Sequence, residues 1–214
     1  MQQSIDIAFR FAAPDDAETV RTIEFDAGLR FAGVGMAGIA DAPPMNLALV
    51  ERKIAAREII VAVDRDGTCA GFVMFEPQPA RIYVQELDVL TSHARRRIGA
   101  ALIDEVAQLA RSRRLMQLIL STYRDVPWNA PYYRRLGFRD IEEADLDAAL
   151  ITRREAHIAR SRRIETRVHA PRSCLTRRAA RCRREALSET TKKTRRSPPE
   201  FCSDHAHRFL LQSC

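Results

Sequence analysis

Two short apolar runs, IIVAVD at 59–64 and CAGFVMFE at 69–76, flank the tetrapeptide RDGT. Runs of that length around an Asp-Gly pair predict the two strands of a β-hairpin. RIYVQELDVL (81–90) reads as a further strand. The period then changes: Ile98, Leu102, Val106 and Leu109 share one face of IGAALIDEVAQLARSR (98–113), which predicts an amphipathic helix. LMQLILST (115–122) returns to a nearly continuous apolar run, the pattern of a strand buried on both faces.

The flanks extend the series. Residues 5–11 read as a strand, and Pro14-Asp15-Asp16 suits a helix start, with Asp15 or Asp16 as cap and Val20, Ile23 and Ala27 at helical spacing. Residues 31–44, FAGVGMAGIADAPP, form a Gly, Ala and Pro-rich loop before a second helix at about 45–57. Downstream, WNAPYYRRLGF leads into a short helix ending at Gly137, then a brief strand at 138–141, a helix over 145–160 and a last strand over 164–170. The resulting order, β-α-α-β-β-β-α-β-α-β-α-β, is that of an α/β domain with a mixed sheet. No internal repeat is present.

Charge divides the chain of 214 residues in two. Residues 1–170 carry 24 Lys and Arg against 24 Asp and Glu, while 171–214 carry 11 against 4, so the whole net charge of +7 belongs to the last segment. The pI near 9.6 therefore says nothing about the body. Cysteine divides the same way: Cys69 lies alone in the body, inside an apolar strand, and Cys174, Cys182, Cys202 and Cys214 follow residue 170. A lone strand thiol reads as a small buried hydrophobe in a cytosolic body. The start, MQQSIDIAFRF, lacks a signal-peptide pattern, and no window approaches eighteen uninterrupted apolar residues, so the reading is a cytoplasmic protein outside the membrane.

After Ala170 the periodicity stops. The segment 171–214 reads as a basic, disordered or only partly helical tail. An electrostatic arm for nucleic acid or an acidic partner is one account, weakened by the presence of only Phe201 and Phe209 for base stacking. Metal binding through Cys202, His205, His207 and Cys214 is another, but their spacing fits no familiar zinc pattern, so no metal is expected. The favoured account is a frameshifted or read-through extension. The domain boundaries are accordingly 1–170 for the body and 171–214 for the tail.

Two segments carry chemistry. Arg95-Arg96-Arg97-Ile98-Gly99 sits at a strand-to-helix turn, where unpaired amides and a partial positive charge suit a pyrophosphate. Arginines add bidentate phosphate contacts, and Gly99 lets the backbone come close. The other reading is a solvated charge run, although cations at a helix N-terminus oppose its dipole and so favour an anionic partner. At NAPYYRRLGF (129–138), Tyr132, Tyr133, Leu136 and Phe138 taken alone read first as core aromatics around a Gly-ended helix; the second reading is a core with one phenol placed to protonate a departing thiolate.

Together, LDVL, RRRIGAALI and NAPYYRRLGF resemble the GNAT-type N-acetyltransferase superfamily, in particular bacterial small-molecule acetyltransferases. Its acyl-CoA motif runs R/Q-x-x-G-x-G/A after a strand, and its later motif runs roughly aromatic-Tyr-x-x-Leu-Gly-Phe. The element order is similar over about 6–170, and the sharp motifs occupy 87–138. The resemblance implies a mostly antiparallel mixed central sheet flanked by helices. It implies that Leu87 and Val89 pair with the pantetheine arm, that Arg95, Arg96, Arg97, Ile98, Gly99 and Ala100 form the pyrophosphate cradle, and that Asn129 contacts the cofactor arm. Tyr133 is implied as general acid for the CoA thiolate, and the acceptor pocket as built from the first helix and the 31–44 loop. The chain departs from the pattern in placing Ala94 at the R/Q position and Arg97 at the first glycine, a residue that adopts positive φ less cheaply.

A mostly protonated amine needs a proton acceptor, usually through water. Glu86 and Asp88 stand on the same side of the cofactor strand, and Glu86 is preferred because family members often have a carboxylate there; a salt bridge is the competing account of Asp88. Direct attack needs no covalent enzyme intermediate, so Cys69 is not expected to be a nucleophile. The expected activity is transfer of an acetyl group from acetyl-CoA, the co-substrate, to a primary amine of a small, weakly charged or amino-acid-like molecule. A homodimer is left open. The alternatives are a non-catalytic acyl-CoA-binding or interaction module and, more remotely, nucleic-acid binding through the tail.

Overall fold

The computed structural model describes residues 7–160 and 166–171, with side chains through 155. The chain order is β1 (Ala8–Phe11), α1 (Ala17–Gly28), α2 (Ala37–Ala40), α3 (Leu47–Ala55), β2 (Ile59–Val63), β3 (Cys69–Gln78), β4 (Arg81–Val89), α4 (Ile98–Ser112), β5 (Gln117–Tyr123), α5 (Ala130–Arg135), β6 (Phe138–Asp140), α6 (Ala148–Arg160) and β7 (Thr166–Pro171). Short 3₁₀ turns at Pro14–Asp16 and Leu29–Val34 flank α1, and the second of these with α2 gives local structure to the segment expected as a loop. The rest of the expected series is present in order. The basic tail lies outside the described residues.

The seven strands form one mixed sheet in the order β1-β2-β3-β4-β5-β7-β6. Only the β4–β5 pair is parallel; β1–β2, β2–β3, β3–β4, β5–β7 and β6–β7 are antiparallel. A parallel pair needs a crossover, which α4 supplies. Its face of Ile98, Leu102, Ile103, Val106 and Ala110 packs on Val73, Phe75, Ile82, Val84 and Leu120, making the main core. On the opposite face α1 and α3 cover β2 and β3 through Val20, Ile23, Val50 and Ile54 against Ile59, Val61, Phe72 and Met74. Leu150 of α6 covers Tyr83 and Ile119 farther along the same face.

Cys69 belongs to that second core and is 8% exposed. Its thiol donates to Asp16 Oδ1 at 3.6 Å, and Asp16 also takes a bidentate pair from Arg10 at 2.6 and 2.9 Å. Burial, and then the neighbouring Asp16 carboxylate, push the Cys69 thiol up from its ordinary value. It stays protonated at neutral pH, which does not suit a nucleophile. Asp16 stands at the N-cap of α1 as expected, but its side chain accepts Ala13 N–H at 2.6 Å, closing the turn before the helix, and makes no capping bond to α1 itself.

Candidate functional site

The site is built on a fork between β4 and β5. Their parallel ladder runs from Arg81↔Gln117 to Val84↔Leu120 and ends there. At the same place the β3–β4 register steps from Phe75↔Val84 to Met74↔Glu86, leaving Gln85 as the extra residue of a bulge. A bulge bends its strand and increases its twist. β5 pairs with β7 along its other edge, from Leu120↔His169 through Tyr123↔Thr166, and beyond Leu120 that is the edge on which its ladder continues. The far end of β4 therefore turns away from β5.

The bulge also sets which side chains face which layer. Leu87, opposite Val73, and Val89 join Ile98, Leu102, Tyr133 and Phe138 in the core beneath α4. Glu86 lies opposite Met74, and Asp88 opposite Phe72, so both carboxylates face the α1–α3 layer. Each is 0% exposed. The expected cofactor strand and the expected carboxylate pair thus occupy opposite faces of one strand.

Beyond β4 the chain reaches α4 through the arginine turn. Arg95 and Arg97 take φ of 63° and 61°, the left-handed region, and Arg97 is the N-cap of α4. The position where the acyl-CoA motif has its first glycine is therefore left-handed here, with arginine bearing the strain. Ile98 and Gly99 are buried, while the three arginine side chains stand exposed with no carboxylate pairing with them among the described residues. No acidic residue occupies the first turn of α4. Unpaired first-turn amides, a left-handed approach and three cations make a concavity suited to a polyanion.

Tyr133 lies on α5, a helix of six residues with Pro131 in its first turn. It is the more deeply buried of the adjacent tyrosines, at 0% exposure, and meets Phe138 and Tyr132 edge-on at centroid distances of 5.6 and 5.4 Å. Tyr132 is only part-buried, beneath the Arg135 guanidinium at 5.8 Å. Asn129 is buried and forms the N-cap of α5, its carbonyl accepting Tyr132 and Tyr133 N–H at 2.8 and 3.0 Å. Its side chain makes no capping bond. The structure thus brings Leu87, Val89, Ile98 and Tyr133 into one cluster and places Glu86 across the sheet from them.

Three features of this region have little sequence signal. Phe31, from the Gly/Ala-rich segment, packs edge-on against Tyr123 and Trp128 at 5.6 and 5.9 Å, and Arg30 stacks on Trp128 at 4.6 Å. This cluster ties the 31–40 segment to the end of β5. The buried carboxylate of Glu24 accepts Met45 N–H at 2.7 Å, while Arg21 Nε donates to Met45 O at 2.7 Å, so α1 holds both backbone polar groups of one residue. Glu24 falls four residues after Val20 on the apolar stripe of α1, and that misplaced polarity is the signal that could have found it. The third is Asp26, whose Oδ2 accepts Thr91 N–H at 2.6 Å.

Residues 37–138 match the model of the acetyltransferase (GNAT) family. The matched segment belongs to that family. Its fold is shared with a PaiA N-acetyltransferase from Thermoplasma acidophilum solved in complex with coenzyme A, at a TM-score of 0.58 and 14% identity over 78% of this chain and 99% of that one. A GNAT-family acetyltransferase from Listeria monocytogenes gives 0.58 and 13% over 79% and 96%. N-acetylglutamate synthase from Neisseria gonorrhoeae, complexed with coenzyme A and N-acetyl-glutamate, gives 0.60 and 15%, covering 81% of this chain and 36% of that one. Among the described residues no helix is long and apolar enough to cross a membrane, and no cluster of three or more His, Cys, Asp or Glu could hold a metal ion.

Proposed function

We propose that this GNAT domain transfers an acetyl group from acetyl-CoA to a primary amine of a small molecule by direct attack. The observation that carries the reading is the fork: a bulged β4 diverging from β5, with the left-handed arginine turn and the α4 N-terminus beside it. Two of the solved structures with the same fold, from Thermoplasma acidophilum and Neisseria gonorrhoeae, are complexes with coenzyme A. In this reading the backbone of Leu87 and Val89 aligns the pantetheine arm, and the amides from Arg95 to Ala100 hold the pyrophosphate. Asn129 steadies the arm near α5.

The acceptor approaches from the α1 side. Its amine must lose a proton, and Glu86 takes it, through water, on the face that β4 turns toward α1. The amine nitrogen bonds to the thioester carbonyl carbon, the carbon–sulfur bond breaks, and the Tyr133 hydroxyl supplies a proton to the departing thiolate. The products are the N-acetylated amine and CoA.

A second reading, an acyl-CoA-binding module without turnover, draws on the strained Arg97 and on the complete burial of Tyr133. Calorimetric titration of the whole protein with CoA, followed by an amine screen with acetyl-CoA, separates the two. Micromolar binding with turnover that collapses in Tyr133→Phe while CoA affinity persists is the expected result. Binding without turnover on any amine supports the module. Folded protein that ignores millimolar CoA removes both.

A further inference from the structure

Two non-glycine residues held left-handed two positions apart need more than local preference, since a side chain in that region crowds its own backbone. Such strain persists only where the surroundings over-determine it. On the downstream side Arg97 is itself the N-cap of α4, with no side chain capping the helix. The constraint comes from upstream. Leu90 N–H is bound to Ala70 O at 2.9 Å, which fixes the end of β4. The next amide, Thr91 N–H, goes to the Asp26 carboxylate of α1 at 2.6 Å. Two residues later the His93 ring meets Asp64 Oδ2 through Nε2 at 3.2 Å and Ser92 Oγ through Nδ1 at 2.9 Å.

These two ring contacts fit one neutral tautomer, with Nε2–H donating to Asp64 and Nδ1 accepting from Ser92. Asp64 is itself fixed, because its other oxygen accepts Asp66 and Thr68 N–H at 3.0 Å each. His93 and Asp64 side chains are 13% and 20% exposed, so the pair is partly shielded from water. Backbone bonds from His93 N–H to Leu90 O and from Ala94 N–H to Thr91 O, at 2.8 and 3.2 Å, close the turn between the anchors. Carboxylates from two separate elements, α1 and the β2–β3 turn, therefore grip Thr91 and His93, just before the arginines.

We propose that Asp26 and the Asp64–His93 pair are positioning residues of the phosphate cradle, holding the 91–93 turn so that Arg95 and Arg97 present their amides in left-handed geometry. The inference rests on the reading of 95–100 as the CoA pyrophosphate site. It also makes α1, which faces Glu86 and Asp88, a direct support of the cradle through the Asp26–Thr91 bond.

The test uses full-length protein and the variants Asp26→Ala, Asp26→Asn and His93→Ala, each checked by thermal unfolding. Asp26→Ala and His93→Ala are expected to weaken CoA binding by roughly fivefold to tenfold in titration at a temperature where every variant is folded. Asp26→Asn keeps an oxygen for Thr91 N–H and is expected to bind within about twofold of wild type. Amide exchange in the ligand-free protein gives a second readout, with faster exchange confined to residues 91–98 in Asp26→Ala. CoA affinity unchanged in Asp26→Ala, or an Asp26→Asn as impaired as Asp26→Ala, overturns the proposal. If wild type binds no CoA, the parent reading falls. Exchange then decides alone: acceleration at 91–98 upholds the positioning role, and its absence removes it.

Discussion

Among the described residues four arginines take positive φ, and they fall into two pairs with different supports. Arg57 and Arg114 each follow the end of a helix. Arg57 N–H bonds Ile54 O and Glu58 N–H bonds Lys53 O, both at 2.9 Å, while Arg114 N–H bonds Arg111 O and Leu115 N–H bonds Ala110 O at 3.0 and 2.9 Å. These are the paired bonds of a Schellman motif, in which the helix's own last carbonyls hold the left-handed residue. Arg95 and Arg97 stand before a helix, where no free carbonyls are on offer. Their geometry depends on Asp26 and Asp64, which reach the adjacent turn at Thr91 and His93 from far along the chain. A left-handed residue held locally is a way to end a helix, whereas one held from a distance marks a place where backbone shape serves something other than the fold.

The largest effect should come from disturbing the strand that feeds the cradle. A Cβ at Gly71 would lie 2.7 Å from Asp88 O, 2.8 Å from Val89 Cγ2 and 3.2 Å from Val89 Cα, next to the Ala70 carbonyl that anchors Leu90. Gly71→Ala should therefore cost about 1–3 kcal/mol in chemical denaturation and weaken CoA binding, while both helix ends stay intact. An unchanged CoA affinity would show that the end of β4 can shift without moving the arginine turn.

A smaller effect separates the two pairs directly. Glycine occupies left-handed backbone without penalty, so Arg114→Gly and Arg97→Gly should each stabilise the fold by up to about 1 kcal/mol. Arg114→Gly should leave CoA binding alone. Arg97→Gly should keep CoA affinity within about threefold if the amides carry the contact, and a larger loss would assign the binding to the guanidinium instead. Denaturant midpoints and CoA titration on the same samples measure both quantities.

The smallest effect is one of pH. Burial alone would raise the Asp64 carboxyl, but the Thr68 amide, the His93 ring and the Asp66 amide hold it below its ordinary value. A carboxylate depressed in the folded state contributes stability above its unfolded pKa, near 4, and that contribution fades as pH falls through the folded value. Asp64→Asn should lower stability in the neutral region by that contribution and so flatten the acid limb of the stability curve below about pH 4. An acid limb identical to wild type would mean that Asp64 has no such share.

The fold was legible because its period changes are sharp. The apolar runs at 59–64 and 69–76, the helical stripe from Ile98 to Val106 and the apolar run of β5 leave little choice of element type. The site was legible only in part. The motif residues at 95–99 and 129–138 were visible, and so was the conflict between Arg97 and positive φ. The bulge at Gln85 was not foreseen, although the adjacent polar residues Gln85 and Glu86 interrupt the apolar Ile82-Tyr83-Val84 run where the phase slips. Strict alternation would have put Glu86 on the same face as Val84. Which of Tyr132 and Tyr133 is buried could not be read because a six-residue helix is too short to show a period. The bond from Asp26 to Thr91 spans 65 positions, and no local pattern announces it.

Cys69 gives the molecule a reporter of its own motions. Among the described residues it is the free cysteine, buried between β3 and the start of α1, with its thiol kept protonated. An alkylating reagent can reach it only when the α1–α3 layer lifts from the sheet, so its labelling rate counts those openings. Because α1 also carries Asp26, a ligand that tightens the cradle should slow labelling at a sulfur that never touches it.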